Sequence, residues 1–265
     1  MKVCKFGGSS LADAGQISKV MDIVLADPAR RMVVVSAPGK RNKSDTKVTD
    51  LLIALADAAL AKKDTTKPLK AVVDRYASIA KELKLGETIV KEIEKDLKAR
   101  IASSKKDAGI FMDTLKAAGE DNSAKLVAEA FTKRGVKARY AGPKETGMIL
   151  EGESGNATLN PESYRKLAKA FADFEGIVVY PGFFGYRKDG TVATFPRGGS
   201  DITGALAAAA LDADVYENWT DVSGILMADP RIVDDPMVIP EVTYDELREL
   251  SYSGAQVLHE GTIFP

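Results

Sequence analysis

At 265 residues the chain can hold one large domain or two small ones, and its 45% apolar content is ordinary for a protein with a packed core. A net charge of -1, with acids and bases balanced, gives no field for a nucleic acid or an anionic membrane. A single cysteine, Cys4, and a single histidine, His259, exclude an intrachain disulfide and cannot by themselves build a zinc site or a Cys–His nucleophile pair. With no apolar leader and no run of transmembrane length, a soluble cytoplasmic protein is expected.

The first ten residues predict a strand, a glycine turn and a helix start. Val3, Cys4 and Phe6 have strand character, Gly7 and Gly8 break it, and Ser9 and Ser10 can cap the helix after them. Ile17, Val20, Met21, Val24 and Leu25 then recur with the helical period. Two adjacent glycines let the backbone approach a ligand, the free amides of such a turn favour an anion, and Lys5 adds an ammonium. For the glycine pair alone, a tight turn beside a solvated lysine is the simpler reading, since neither G-x-G-x-x-G nor a Walker pattern is present.

Residues 32–35 predict a buried parallel strand, residues 36–39 a turn and residues 40–47 a mobile loop. Thr49 starts a helix through Leu51, Leu52 and Leu55. Residues 62–135 read as mostly helical, with Ile89, Ile93, Leu97 and Ile101 forming one stripe. The run 119–122 is expected to interrupt the helical pattern, with a second helix over 123–134. A strand is expected over 136–140, then an irregular polar stretch over 142–161 and a helix through Tyr164, Leu167 and Phe171. Residues 177–180 form another buried strand, and residues 183–195 a hairpin around Asp189-Gly190. A helix over 202–211, a strand over 214–219 and a capping box from Thr243 to Glu246 opening a last helix complete the pattern. Strands alternating with helices predict an α/β protein, a three-layer αβα sandwich around a central, mainly parallel sheet.

Arg197-Gly198-Gly199-Ser200-Asp201 is a second glycine turn at a helix start. The guanidinium can fork onto a carboxylate, the backbone amides can hold the same anion, and Asp201 can orient Lys5. An N-capped turn explains the serine and aspartate but not an arginine beside two glycines. Ligands of open α/β sheets bind at the carboxyl ends of strands, so Lys5, Ser36, Arg197 and Thr220 can converge on one crevice.

Taken in order, Lys5-Phe6-Gly7-Gly8-Ser9-Ser10, Gly119-Glu120, Arg197 to Asp201, and Trp219-Thr220-Asp221 through Gly224-Ile225 closely resemble an aspartokinase. So do Asp229-Pro230-Arg231 and Gly254-Ala255-Gln256-Val257-Leu258-His259. The resemblance implies the amino-acid kinase fold over 1–265, with the helical region at about 62–135 on the substrate side. It implies phosphorylation of the β-carboxylate of L-aspartate by ATP with Mg2+, giving 4-phospho-L-aspartate. Lys5 with Phe6, Gly7, Gly8 and Ser9 would hold the transferring phosphate, and Asp201 would organise the site with Lys5. Ser36, Thr49, Glu120, Arg197, Gly198, Gly199 and Ser200 would bind aspartate, Glu120 taking the α-ammonium. Thr220, Asp221, Leu226, Arg231, Gln256 and Val257 would line the ATP site. Leu226 stands where the family often has tyrosine, and Gln256 where it often has lysine.

A carboxylate acceptor is already ionised at neutral pH, so no general base is needed, and no dedicated metal cage is expected. Because the chain ends soon after the last motif, a catalytic core without C-terminal regulatory domains is expected, with a weak homodimer through an uncovered sheet edge as a candidate assembly. The alternatives are a kinase of the same fold acting on another acidic substrate, and a sensor that binds an amino acid or nucleotide without turnover.

Overall fold

The computed structural model describes residues 1–220, 224–228 and 232–252. In chain order its elements are β1 (Lys2–Phe6), a 3-10 turn (Gly8–Leu11), α1 (Ala14–Leu25), β2 (Arg30–Val35), α2 (Val48–Leu60), α3 (Thr66–Glu82), α4 (Glu87–Ile101) and α5 (Ala108–Lys133). Then come β3 (Ala138–Tyr140), α6 (Pro143–Thr146), β4 (Leu150–Glu153), β5 (Asn156–Leu159), α7 (Glu162–Ala170) and β6 (Ile177–Pro181). The remainder is β7 (Phe184–Tyr186), β8 (Val192–Thr194), α8 (Gly199–Ala210), β9 (Val215–Trp219) and α9 (Tyr244–Tyr252).

Among the described residues the central sheet has five strands in the order β3-β6-β2-β1-β9, every pair parallel. β1 lies between β2 and β9, with Phe6 level with Val35 on one side and Trp219 on the other. Successive strand residues point to opposite faces. Cys4, Phe6, Val33, Val35 and Val179 therefore enter a core built with α1 to α5, while Val3, Met32, Val34, Val178 and Tyr180 enter a second core with α7 and α8. A sheet covered on both faces needs no polar side, which is why its strands read as unbroken apolar runs. The αβα expectation holds.

Several local expectations are revised. Asp13, not Ser9 or Ser10, caps α1, accepting from the Gln16 amide at 2.8 Å; the serines lie in the preceding 3-10 turn. The expected break at 119–122 is absent, and α5 runs unbroken through it. Gly119 is there for packing. A Cβ on it would sit 2.8 Å from Ala37 Cβ and 3.2 Å from Leu52 Cδ1. Residues 142–161 are ordered as α6 and the antiparallel hairpin β4–β5, whose Gly152 and Gly155 have positive φ. Buried Asp113 on α5 anchors both hairpins, accepting from Gly155 N at 3.0 Å and from Thr194 N at 3.1 Å. The hairpin around Asp189-Gly190 forms as β7–β8, and Thr243 and Glu246 make the capping box reciprocally, at 2.7 and 3.2 Å.

The segment 40–47, expected to be mobile, is pinned. Asp45 pairs with Arg41 at 2.8 Å and with buried Arg75 of α3 at 2.5 Å. The two guanidiniums, Arg41 first, hold the Asp45 carboxyl well below the usual carboxylate range. Arg75 also donates to the carbonyls of Ala12 and Gly39, tying three segments to one side chain. Removing one partner of such a buried pair strands the other, so Arg75→Met is predicted to destabilise the fold by about 3 kcal/mol. The check is the urea midpoint at constant m-value; an unchanged midpoint would show that Arg75 holds nothing.

Candidate active site

The turn after β1 is held on both sides. Gly7 N donates to Trp219 O at 3.3 Å, and Gly39 N, from the turn after β2, donates to Gly8 O at 2.8 Å. The two turns are stacked so closely that a Cβ on Gly39 would lie 2.6 Å from Gly8 C, and one on Gly8 2.9 Å from Ala37 O. Only glycine fits at either position. The amides of Gly8 and Ser9 open the 3-10 turn, where no earlier turn of helix supplies a carbonyl. Phe6 itself is a core residue whose ring stacks on Trp219 at 6.0 Å, so any ligand contact from it is left to its backbone.

Lys5 points to the α8 side of the sheet. Its ammonium lies 2.5 Å from Asp201 Oδ1, with the two side chains 8% and 18% exposed. The approach is off the hydrogen-bond direction, so Oδ1 still lacks an aligned donor. A Cβ on Gly7 would lie 3.7 Å from Lys5 Nζ, which places the charge directly over the glycine turn. The pairing read from the two motifs is therefore present, although Lys5 and Asp201 are far apart in sequence.

The second turn is built as tightly. Gly198 is left-handed, with φ 84°, and caps α8. Gly199 lies against Phe195 and Phe183, and Gly182, at the end of β6, against Ser200. Phe183 is a non-glycine residue at φ 76°, a conformation that costs roughly 1–3 kcal/mol. It is held by a bond from its amide to Thr203 Oγ1 at 3.0 Å and by Phe195 N donating to its carbonyl at 2.9 Å. Arg197 is exposed, with no ion pair or hydrogen bond among the described residues.

Glu120 completes the arrangement from α5. It is buried, its Oε2 has no partner, and removal from water raises its pKa to about 8. The Ala37 amide favours the charged form, as do Lys116 and Lys47 at longer range. Ser36, half-buried, donates its amide to Phe6 O at 3.2 Å. Thr49 is half-buried in the first turn of α2, which starts beside Gly119. Ala37, Val48 and Leu52 thus bring the β2 turn and α2 onto α5 at the position of Glu120.

Thr220 comes directly after β9 and is exposed, whereas Leu226 lies in an antiparallel bridge with Val238. Asp221, Arg231, Gln256 and Val257 lie outside the described residues, as does His259. Among the described residues, no group of three His, Cys, Asp or Glu side chains could hold a metal. Sequence reasoning did not find Lys116, Phe183 or Arg75. The i, i+4 spacing of Lys116 and Glu120 was the available signal, hidden by the expected break in α5.

The sequence profile of the Amino acid kinase family matches residues 1–265. Aspartokinase 3 of Bacillus subtilis (strain 168) is 50% identical over 265 residues, 100% of this chain and 58% of that protein. The aspartate kinase of Clostridium acetobutylicum superposes with a TM-score of 0.83 at 37% identity, covering 100% of this chain and 57% of that one. E. coli aspartokinase III in complex with aspartate and ADP superposes with a TM-score of 0.84 at 31% identity, covering 100% and 59%. The chain thus spans little more than half the length of these relatives.

The buried state of Glu120 has a measurable consequence for stability. Its pKa rises from 4.5 in the reference state to about 8 in the fold, so the folded chain holds that proton more tightly. The associated stability is fully present below about pH 4.5 and is lost as pH rises through about 8. Glu120→Gln removes this loss, and its stability relative to wild type is predicted to improve by roughly 2 kcal/mol or more between pH 5 and pH 8. Urea titrations of both proteins at the two pH values test it; a difference that does not change with pH would contradict a raised pKa.

Proposed function

The chain belongs to the amino acid kinase family, and from that premise we propose that it is an aspartate kinase, transferring the γ-phosphate of ATP to the β-carboxylate of L-aspartate. The observation that carries the choice of substrate is the buried carboxyl of Glu120, whose Oε2 has no hydrogen-bond partner. A free α-amino acid brings the ammonium this group lacks, whereas an acylated amino acid or a nucleoside monophosphate does not. The 50% identity to an aspartokinase, and the E. coli relative that binds aspartate and ADP, support the same reading.

In this reading one β-carboxylate oxygen attacks the γ-phosphorus, the bond to the bridging oxygen of ADP breaks, and ADP leaves with the electron pair. The acceptor is already an anion, so no proton need be removed. What the chain must supply is position and positive charge where anions meet. Lys5 sits over the first glycine turn and would neutralise the moving phosphoryl group; Asp201 holds its ammonium there and limits its motion. The amides of Gly8 and Ser9 would hold the same phosphate, while Gly198, Gly199 and Ser200 with Arg197 would take the α-carboxylate. Thr49 and Ser36 would line the substrate side, and Thr220, beside the first turn, the nucleotide side. Mg2+ would enter with ATP and shield its phosphates.

The assigned compartment is the cytosol. Among the described residues no helix is long and apolar enough to cross a membrane, and Cys4 is a free, buried thiol. Burial raises its pKa to about 12, which removes it from thiolate chemistry at neutral pH.

ADP release measured across L-aspartate, L-glutamate, N-acetyl-L-aspartate and nucleoside monophosphates tests the assignment. Only L-aspartate is expected to support turnover; turnover with N-acetyl-L-aspartate and none with L-aspartate would overturn it. Within the same assay, Lys5→Ala is predicted to lower kcat by about a hundredfold or more, as expected for loss of a charge that acts on the transition state. Arg197→Ala should instead raise the aspartate KM. Near-normal turnover in Lys5→Ala would remove Lys5 from the phosphate.

A further inference from the structure

Lys116 and Glu120 occupy positions i and i+4 of α5, the spacing at which oppositely charged side chains usually close an ion pair. Here the pair stays open. The Lys116 ammonium lies 3.4 Å from Asp113 Oδ1 and 5.7 Å from the centre of the Phe183 ring, while Glu120 Oε2 keeps no partner. Lys116 still favours the charged form of Glu120 through space, although no ion pair joins the two.

Asp113 is the ion-pair partner of Lys116, but it takes only part of the ammonium's hydrogen-bonding capacity. Its carboxylate already accepts from Gly155 N at 3.0 Å, Thr194 N at 3.1 Å and Thr194 Oγ1 at 2.8 Å, and its contact with Lys116 is longer than all three. The lysine side chain is 17% exposed, so its ammonium is largely withdrawn from water yet retains donor capacity. The ammonium stands between the β4–β5 hairpin, 3.6 Å from where a Cβ on Gly155 would be, and the Phe183 ring, which in turn lies 2.9 Å from where a Cβ on Gly199 would be. The Lys116 ammonium and the Glu120 carboxyl are thus anchored about one helical turn apart along α5, with Lys116 linked to the Arg197 turn through the Phe183 ring. A zwitterion of the opposite sense, carboxylate toward Lys116 and ammonium toward Glu120, would satisfy both.

We propose that Lys116 is a substrate-binding, specificity-determining residue that holds the α-carboxylate of the amino-acid substrate together with Arg197, while Glu120 holds the α-ammonium. The proposal rests on the reading of the chain as an amino-acid kinase. It makes α5 a two-charge reader of the main-chain end of the substrate and leaves the β-carboxylate free to face Lys5.

The test compares L-aspartate with its α-carboxamide, L-isoasparagine, which keeps the ammonium and the β-carboxylate and loses the α-charge. Lys116→Met is expected to raise the aspartate KM about tenfold, the size of one charge-assisted hydrogen bond. The ATP KM should be unchanged and kcat nearly so. The inhibition constant of L-isoasparagine should barely move, so discrimination between the two compounds shrinks by the same factor. Lys116→Arg should restore the aspartate KM, and Lys116→Gln carries the same test if the methionine variant does not fold. An unchanged aspartate KM, or an equal loss for aspartate and its α-carboxamide, overturns the role of Lys116. Absence of any aspartate-dependent ADP release in the wild type would instead overturn the kinase reading.

Discussion

A carboxyl group taken out of water without a counter-charge gives up its ionisation before it gives up its position. Glu120 is such a group, and much of the surrounding structure is arranged to keep it there. α5 continues through Gly119 so that Glu120 can face the sheet end, and the missing side chain at Gly119 lets Ala37 and Leu52 approach. Ala37 then turns its amide to the carboxylate, and Lys116 and Lys47 stand near it without neutralising it. A network that closed on Glu120 would be more stable and would have no use for a ligand. In the proposed reading, a substrate ammonium completes that open valence.

The remaining charges are placed by backbone-to-backbone contacts that only glycine allows. Gly8 against Gly39 fixes the turn after β1 on the turn after β2, and Gly199 against Phe183 and Phe195 fixes the start of α8 on the segment after β6. The parallel order β6-β2-β1-β9 puts the strand ends side by side, and α8 packs against β1, so Lys5 and Asp201 meet although they lie on different elements. Arg75 secures the outer edge by holding Gly39 and Asp45 from α3. A helix outside the candidate site, α3, thus helps determine where the first glycine turn sits.

The parts legible in the sequence were those written in short apolar runs or in local turn chemistry: strands at 3–6, 32–35 and 177–180, the Asp189-Gly190 hairpin, and the Thr243–Glu246 capping box. Lys5, Arg197 and Asp201 stood out because a charge beside paired glycines is hard to explain as a turn alone. The errors came from contacts between distant segments. Gly119 looked like a helix break because its partners, Ala37 and Leu52, are far away in the chain. The polar stretch at 142–161 looked irregular because its order depends on Asp113 of another element. The same misplaced break hid Lys116, whose relation to Glu120 exists only if the helix is continuous.

On the proposed reading, Glu120 is held protonated in the empty site and is recharged by the substrate ammonium. Calorimetry of L-aspartate binding near pH 7, in buffers of different ionisation enthalpy, measures this directly as protons exchanged on binding. With a pKa of about 8 in the empty site and a lowered one beside an ammonium, about one proton should be released per aspartate bound, and none in Glu120→Gln. Binding without proton release in the wild type would show that Glu120 is already ionised in the empty site, or that it does not meet the substrate.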